Sequence, residues 1–346
     1  MCSEYEKIWL FENLWQAHKV SRRGRRKKGE VIRYEVILSE KLISLQARLK
    51  ANKLEKLNYY HFTITDPKRR EVFATNYDMR VMLHSLTDNV VAPTLKPKLI
   101  YDNCACQKGK GVHFAIKRVD KFLHSCFNNR QSNQFYVLKC DIYKYFDSIN
   151  HEILLEKLSR VFLDKDVFKL LEKIVNSYES MPNTGLPLGN QTSQWFAIYY
   201  LDGFDRFIKE RKSMSYYVRY MDDFIVISED KRKLQQLISE MKQFLQGLQL
   251  RLNASTRIYK AACGFPFLGL SIRVTKKGKV IHRMRTASKV RMRKRLKVVE
   301  AAYKNGELSI EQMLSSFMSY LGHLKYVDDY HLNLEVKQHL QKLGFF

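Results

Sequence analysis

The sequence predicts an α+β fold, in which a small antiparallel sheet has helices packed on one face. Strand-like apolar runs are few, and they alternate irregularly with longer segments in which Leu and Ile recur at three- and four-residue steps. Hydrophobic residues make up 45% of the 346 residues, which is enough for a substantial core. A single core rarely extends over a chain of this length, so we expect two or three subdomains.

The first third of the chain predicts helices around one pair of strands. Residues 18–33 are rich in Lys and Arg and indicate a basic, flexible connector, whereas residues 34–57 repeat Leu and Ile at helical spacing. Residues 59–75 predict two strands around an Asp66-Pro67 turn. The Gly-rich basic stretch KGKG, residues 108–111, is expected to open a further helix.

Two apolar strands in the middle of the chain carry acidic residues at their ends. Residues 135–158 predict a buried strand that ends near Asp141 and turns into a helix. Residues 217–228 predict a β-hairpin with Asp222 and Asp223 at its tip, although Asp is a poor strand residue. Since Asp is common in turns, a plain turn is the alternative explanation for the pair.

The remaining segments continue the mixture of helices and strands. Residues 185–210 predict a Gly/Pro loop that leads into a long helix, and residues 231–248 predict an amphipathic helix. Residues 263–280 predict a strand pair with a turn at 276–278, and the rest of the chain predicts helices.

The chain is strongly basic. It has 61 Lys and Arg against 35 Asp and Glu, a formal net charge of +26. A charge of this size repels itself unless a polyanion is bound. Nucleic acid is therefore the favoured partner, and an anionic membrane surface is the alternative.

Several features favour a cytoplasmic protein without membrane association. No apolar run approaches the roughly 18–20 residues needed to span a bilayer. The acidic N-terminal stretch MCSEYEKIWLFENLW does not fit a signal peptide. The 6 Cys include no CxxC pair, and the CxC of Cys104 and Cys106 has no His/Cys partners at zinc spacing, so we expect reduced cysteines.

The acidic residues at the strand ends suggest metal-dependent chemistry. If the two strands are neighbours in one sheet, Asp141, Asp222 and Asp223 converge on one spot. Three converging carboxylates destabilise each other unless a cation is present, and oxygen-only ligands suit Mg²⁺. A pair of Mg²⁺ ions activates an attacking hydroxyl and stabilises a leaving pyrophosphate. In a basic chain this indicates a nucleotidyltransferase that works on nucleic acid.

Seven motifs occur in the order in which one enzyme family carries them. They are FENLWQAHK, TDPKRREVFA, IYDNCACQKGKGVHFAI, YVLKCDIYKYFDSINHEIL, GLPLGNQTSQWFA, YVRYMDDFIVIS and FPFLGL. With them the chain resembles reverse transcriptases, and within the group II intron-like retroelement enzymes it resembles those of diversity-generating retroelements. The resemblance implies a right-hand polymerase fold with an N-terminal extension and fingers (1–134), a palm with fingers insertions (135–280) and a helical thumb (281–346).

The resemblance also assigns roles around the acidic residues. It implies that Asp141 and Asp222 bind two Mg²⁺ ions, for which Mn²⁺ is able to substitute, together with the backbone carbonyl of Ile142. Asp223 occupies the third carboxylate position, which contributes less directly. Phe146 would pack under the sugar of the incoming nucleotide and select dNTPs over NTPs, whereas a core Phe in a helix is the alternative.

Further nucleotide contacts are implied in the fingers and the GLPLGNQTSQ loop. Lys108 and Lys110 of QKGKG, and less strongly Arg80, would approach the triphosphate; a solvated turn is the alternative for QKGKG. Most reverse transcriptases read LPQG where this chain has Leu188, and an apolar residue there accompanies error-prone copying of template adenines. Gly189 and Gln194 would shape the loop against template and nucleotide.

The basic helix near the C-terminus completes the implied machinery. Arg291, Lys294 and Arg295 recur at helical steps and resemble a thumb helix that follows the backbone of a template–primer duplex. The implied partners are template RNA, primer or cDNA, dNTPs and a small, basic, oligomeric accessory protein encoded nearby. The segment LNASTRIYK lacks the Lys that family members often carry before its Thr, so the general acid for pyrophosphate release stays unassigned.

Three functions remain to be compared. The favoured one is an RNA-directed DNA polymerase that copies a template-repeat RNA into adenine-mutagenised cDNA, for targeted diversification of a protein-coding gene. The second is a related reverse transcriptase in phage defence or with ordinary fidelity. The third is an inactive RNA-binding scaffold, which the intact Asp141, Asp222 and Asp223 disfavour.

Overall fold

The computed structural model describes residues 3–54, 56–66 and 69–345. Its strands are β1 (Tyr59–Ile64), β2 (Arg70–Thr75), β3 (Tyr136–Cys140), β4 (Tyr217–Tyr220), β5 (Asp223–Ser228), β6 (Arg257–Lys260), β7 (Phe265–Phe267), β8 (Leu270–Val274) and β9 (Val280–Met284). The strands form small antiparallel sheets among many helices, and the predicted α+β class is confirmed.

The helices begin in the N-terminal region and run to the end of the chain. They are α1 (Glu6–Trp9), α2 (Phe11–Ser21), α3 (Gly29–Val36), α4 (Leu38–Lys50), α5 (Tyr77–Leu86), α6 (Ala92–Leu95), α7 (Val112–Arg130), α8 (Tyr145–Ser148), α9 (His151–Ser159), α10 (Lys165–Val175), α11 (Gln191–Tyr200), α12 (Asp202–Arg206), α13 (Lys231–Gly247), α14 (Thr286–Lys304), α15 (Ile310–Leu324) and α16 (Tyr330–Lys342). A short π-helical turn at Thr87–Val91 links α5 to α6, another at Phe207–Arg211 continues α12, and a 3₁₀ turn at Lys96–Lys98 follows α6.

The central sheet has the strand order β4-β5-β3-β6 and is antiparallel throughout. We expected helices on one face only, and this was wrong, because both faces are covered. On one face Val137 and Ile225 pack with α7 and the small sheet β7-β8-β9. On the other face Leu138 and Val226 pack with α11 and α13. Both covers are needed because successive residues of β3 and β5 are apolar, so neither face is suited to water.

The N-terminal layer is more helical than the sequence suggested. The expected flexible connector at 18–33 is largely helix, because α2 runs to Ser21 and α3 begins at Gly29. Val31 is buried in α3, and the 2.6 Å ion pair between Arg22 and Glu35 joins the end of α2 to the last turn of α3. The helix expected over 34–57 is split at Ile37, between α3 and α4, and ends at Lys50.

Several local predictions are confirmed. The KGKG stretch precedes α7, and strands β1 and β2 pair as a hairpin from Tyr59↔Thr75 to Ile64↔Arg70. Of the expected Asp66-Pro67 turn, only Asp66 lies within the described residues. The expected strand pair at 263–280 has a third strand, because β9 pairs with β8 beyond the 276–278 turn.

The C-terminal helices have an apolar cluster of their own. Met292 and Leu296 of α14 pack against Phe317 of α15 and Val336 of α16. The expected division between 280 and 281 falls inside β9, which pairs with β8. Within the described ranges, every helix is too short or too polar to cross a lipid bilayer.

Candidate active site

A two-residue turn between β4 and β5 presents the adjacent acids. The register pairs Tyr220 with Asp223, which leaves Met221 and Asp222 at the turn. Met221 has φ of 58°, the left-handed conformation that the first position of such a turn requires and that bulky residues rarely adopt. The guanidinium of Arg219 donates a 2.9 Å hydrogen bond to the Met221 carbonyl and so supports this conformation.

A buried ion pair anchors the turn from below. Arg219 and Asp205 are both fully buried, and the guanidinium donates two 2.6 Å hydrogen bonds to the two carboxylate oxygens. The Tyr217 hydroxyl donates a further 2.6 Å bond to Asp205, and Arg219 also donates to the carbonyl of Ile198 at 2.8 Å. The pair therefore ties β4 to α11 and α12 directly beneath Asp222.

The three predicted carboxylates line one cleft of about 1620 Å³. Asp141 directly follows β3, and because β3 and β5 are antiparallel neighbours with Cys140 opposite Phe224, Asp141 lies beside the start of β5. Asn253 donates its side-chain amide to Asp141 at 3.2 Å. Lys139 lies 3.4 Å from Asp223.

Burial and mutual repulsion shape the electrostatics of this cleft. Burial raises the pKa of Asp222, and the neighbouring Asp141 carboxyl raises it further. Burial also raises the pKa of Asp223 to about 7, although Lys139 opposes the shift. Both shifts mean that the ionised carboxylates are incompletely compensated by protein groups.

The donor set at this spot fits a hard divalent cation. Carboxylate oxygens are the ligands that such ions prefer, and a cation would relieve the repulsion between Asp141 and Asp222. One oxygen of Asp223, Oδ1, is buried and has only the 3.4 Å ion pair with Lys139 as a partner. Among the described residues, no three His, Cys, Asp or Glu side chains alone form a metal centre. The protein thus offers two facing carboxylates, with a third beside Lys139.

Phe146, Leu188 and Ile142 line the same cleft as the carboxylates. Phe146 lies on the short helix α8 with its ring against that of Tyr145, at 5.9 Å between centroids. The carbonyl of Leu188 accepts a 2.9 Å hydrogen bond from the backbone N–H of Phe73, which fixes the loop to β2.

Gly189, Gln194 and Arg80 do not line this cleft. Gly189 has φ of 135°, and a Cβ there would lie 2.9 Å from the Phe73 carbonyl, so only glycine suits this approach. Gly189 and Arg80 line a separate cavity of about 210 Å³. Gln194 is exposed on α11 and accepts a hydrogen bond from the Cys106 thiol at 3.1 Å.

The two predicted fingers lysines also lie away from the carboxylates. Lys108 is exposed. Lys110 donates to the carbonyls of Tyr101 at 2.7 Å and Asn103 at 3.1 Å, and its ammonium lies 5.0 Å from the Tyr101 ring centroid. In this conformation Lys110 therefore stabilises its own loop.

The predicted thumb cations are exposed on α14. Arg295 reaches Asp66, at the end of the β1–β2 hairpin, in a 3.1 Å ion pair. Arg291 lies 3.5 Å from the Ser288 hydroxyl, and Lys294 is exposed. The helix thus reaches the hairpin through Arg295.

Sequence reasoning missed several cations and polar groups around the cleft. The additional lining residues include Arg69, Arg70, Lys144, Arg251 and Asn253. The adjacent Arg69 and Arg70 were a usable signal, since they sit at the start of β2. Arg219 had a signal too, because a charged residue inside the apolar strand YVRY requires a buried partner.

Comparison with known proteins identifies similar chains. Residues 66–272 match the family described as "Reverse transcriptase (RNA-dependent DNA polymerase)". Protein YkfC of Escherichia coli (strain K12) is 26% identical over 200 residues, which cover 46% of this chain and 52% of that protein. The chain therefore spans about half the length of this curated relative.

Solved structures share the architecture at low identity. Telomerase from Candida albicans, in complex with a fragment of telomeric RNA, matches with a TM-score of 0.52 and 12% identity, over 89% of this chain and 65% of that one. Telomerase from Candida tropicalis, also in complex with a fragment of telomeric RNA, matches with a TM-score of 0.51 and 14% identity, over 84% and 55%. At these identities the likeness shows the fold alone, a right-hand polymerase fold.

Proposed function

The chain belongs to the reverse transcriptase family, and from that premise we propose that it is an RNA-dependent DNA polymerase that copies template RNA into cDNA. The observation that carries this proposal is the placement of Asp141 beside Asp222 in one large cleft, with their charges incompletely compensated by protein groups. An inactive scaffold would have no need to keep two facing carboxylates in so unfavourable an arrangement.

The proposed cofactor is a pair of Mg²⁺ ions, for which Mn²⁺ is able to substitute. Asp141 and Asp222 would hold the ions with the backbone carbonyl of Ile142, while Asp223 contributes charge beside Lys139. When bound, the ions activate the primer hydroxyl and neutralise the leaving pyrophosphate. The chain itself positions the carboxylates, through Asn253 at Asp141 and through Arg219 beneath the turn.

The walls of the cleft would bind the nucleotide and the nucleic acid. Phe146 would pack under the sugar of the incoming dNTP, where its ring leaves no room for a 2′-hydroxyl. Leu188 would lie against the nascent base pair, where it offers no hydrogen bond. Cations of the cleft wall, among them Arg69 and Arg70, would attract the phosphates.

The proposed architecture divides the chain into fingers (1–134), palm (135–280) and thumb (281–346). The separate apolar cluster of α14–α16 supports a distinct thumb. Arg291, Lys294 and Arg295 would follow the template–primer backbone from this thumb.

We further propose that the enzyme serves targeted mutagenesis in a diversity-generating retroelement. The support is Leu188, which lies in the cleft where most family members carry a Gln. In this setting the partners are a template-repeat RNA and a small, basic, oligomeric accessory protein, in the cytoplasm.

Primer extension on a defined RNA template with Mg²⁺ and dNTPs tests both the proposed polymerase activity and the proposed role in targeted mutagenesis. Full-length cDNA with errors concentrated opposite adenine is expected. Accurate cDNA would keep the polymerase and reject the diversifying role, in favour of a related enzyme with ordinary fidelity. Asp141→Asn is expected to abolish synthesis and leave RNA binding nearly intact; retained synthesis would remove Asp141 from the site.

A further inference from the structure

A second cavity lies behind the GLPLGN loop. It encloses about 210 Å³ and is lined by three elements: the end of α2 with the loop that follows it, helix α5, and residues 189–191 at the start of α11. A water molecule occupies roughly 30 Å³ of liquid. The cavity therefore has room for one phosphate group and a few waters.

Positive charge dominates this cavity. Arg23, Arg25 and Arg80 line it together with His84. Arg80 is 14% exposed, and the nearest carboxylate oxygen, from Glu30, is 3.9 Å away. Burial and the proximity of Arg25 lower the pKa of Arg80. Burial lowers the pKa of His84, which Arg80 and Arg25 lower further while Asp88 opposes them. The arginines therefore repel each other, and the carboxylates of Glu30 and Asp88 offset this repulsion only in part.

The described acids near this cavity do not form close ion pairs with its arginines. Asp88 accepts a 2.9 Å hydrogen bond from the side chain of Gln191. In the described part of the chain, no carboxylate forms an ion pair with Arg23 or Arg25. Both arginines are exposed on the loop after α2, so the cavity is reached from solvent.

Unpaired polar atoms face the same space. Ser21 is 5% exposed, and its hydroxyl has no hydrogen-bond partner. The Nδ1 atom of His84 is also buried without a partner. Hydroxyl and imidazole N–H groups donate to phosphate oxygens, and α11 begins here with its free backbone N–H groups. A buried donor without a partner is destabilising, so a bound anion would remove this penalty.

The position of the cavity indicates which anion reaches it. Leu188 lines the catalytic cleft, and the next three residues line the second cavity, so one loop forms a wall of both. The 2.9 Å hydrogen bond from the Phe73 backbone N–H to the Leu188 carbonyl holds this wall against β2. A strand that passes Leu188 in the cleft would need only a short path to bring its next phosphates to the cavity.

We propose that the cavity formed by Arg23, Arg25, Arg80 and Ser21 is a binding site for a single backbone phosphate of the template strand. The inference rests on the proposed polymerase function. It assigns Arg80 to the template rather than to the triphosphate of the incoming nucleotide. To contact Arg80, a triphosphate in the catalytic cleft would need to reach the opposite side of the loop. The site fixes the template beside Leu188 without reading its bases.

The test scans the template with neutral linkages. Templates of 2′-O-methyl ribonucleotides carry a single methylphosphonate at successive positions around the templating base, and their affinities are measured by fluorescence anisotropy. The wild-type protein is compared with Arg25→Ala and with Arg26→Ala. Arg26 has the same charge, is exposed in the same loop and does not line the cavity, so it is a matched control.

Neutralising one particular linkage is expected to weaken template binding more than neutralising any other. Its neutralisation should weaken binding of the wild-type protein and of Arg26→Ala by about tenfold, the contribution of one charge-assisted hydrogen bond. In Arg25→Ala the same neutralisation should have little further effect. The proposal is overturned if no linkage stands out, or if Arg25→Ala keeps the full dependence on that linkage.

A second measurement separates the two sources of phosphate. If Arg25→Ala raises KM for dNTP in single-nucleotide extension and leaves the linkage profile unchanged, the cavity serves the incoming nucleotide and the template assignment is wrong. The scan needs no catalysis. A wild-type protein that shows the linkage dependence but extends no primer would contradict the polymerase proposal and leave the phosphate site standing.

Discussion

At the scale of single residues, a buried ion pair supports the turn that carries Asp222. Asp205 and Arg219 are both fully buried, and each compensates the other through two short hydrogen bonds. The guanidinium uses its remaining N–H groups on backbone carbonyls, one of them at Met221 beside Asp222. A buried pair of this kind contributes little net stability, but breaking it leaves an uncompensated charge. The role of this ion pair is to hold the turn at Met221 and Asp222 in place.

Replacing one partner of this pair should therefore destabilise the protein strongly. Asp205→Asn is expected to lower the free energy of unfolding by about 3–5 kcal/mol, measured by urea denaturation. The double variant Asp205→Leu with Arg219→Met should recover much of that loss, because no charge stays buried. Even so, the double variant should extend primers poorly, since the Met221 carbonyl no longer has its donor. Normal extension by a well-folded double variant would refute the positioning role.

Leu188 is the residue on which fidelity is proposed to depend. Leu188→Gln places a hydrogen-bonding group against the nascent base pair, so misincorporation opposite template adenine should fall by about tenfold. Sequencing of the cDNA products measures this, and errors opposite the other three bases provide the internal control. An unchanged adenine error rate would show that low fidelity arises elsewhere.

At the scale of elements, a titratable contact joins β9 to α7. His282 of β9 lies 2.8 Å from Asp120 of α7, and its backbone N–H donates to Asp328 at 2.9 Å, in the loop between α15 and α16. The hydrogen bond to Asp120 raises the pKa of His282 above its usual 6.5, although burial opposes the shift. The charged imidazole thus holds three elements together.

This contact predicts a pH dependence of stability. Because the pKa of His282 is higher in the folded state, its contribution is fully present below about pH 6.5 and is lost as the pH rises through the folded-state pKa. The free energy of unfolding of the wild type, relative to that of Asp120→Asn, should therefore fall between about pH 6 and pH 8. Urea denaturation at several pH values measures the difference. A constant difference would mean that His282 is not charged in the folded protein.

At the scale of the whole molecule, the net charge is +26, and Arg69, Arg70, Lys144 and Arg251 bring part of it to the cleft. Such a field attracts nucleic acid without sequence preference and makes its binding depend on salt. The thumb helix α14 carries part of this charge opposite the β1–β2 hairpin, where Arg295 meets Asp66.

Removing the α14 cations should weaken template–primer binding uniformly across sequences. In the triple variant Arg291→Ser, Lys294→Ser and Arg295→Ser, the slope of log affinity against log salt should decrease by about two to three, one for each phosphate that is no longer neutralised. Anisotropy titrations between low and moderate salt measure this slope. The matched control replaces Lys231, Arg232 and Lys233, which are exposed on α13. An equal decrease in both variants would show that α14 has no special role.

The secondary structure around the site was predictable from the amino-acid sequence, because strands and turns follow from local patterns. The apolar strand before Asp141 and the hairpin that carries Asp222 are present as predicted. The apolar runs of β3 and β5 and the acids at their ends suffice for this. The seven motifs likewise identified the family, which the match over residues 66–272 shows.

Which charged groups lie next to each other became known from the tertiary structure and not from the sequence. The pairing of Arg219 with Asp205 and the proximity of Arg25 to Arg80 join positions that are distant in sequence or lie on different elements. Local periodicity carries no information on such pairs, because a buried cation takes whichever partner the packing of helices and sheets places within hydrogen-bond distance. The acids at the site were therefore predictable from the sequence, whereas the groups that hold them and the second cavity were not.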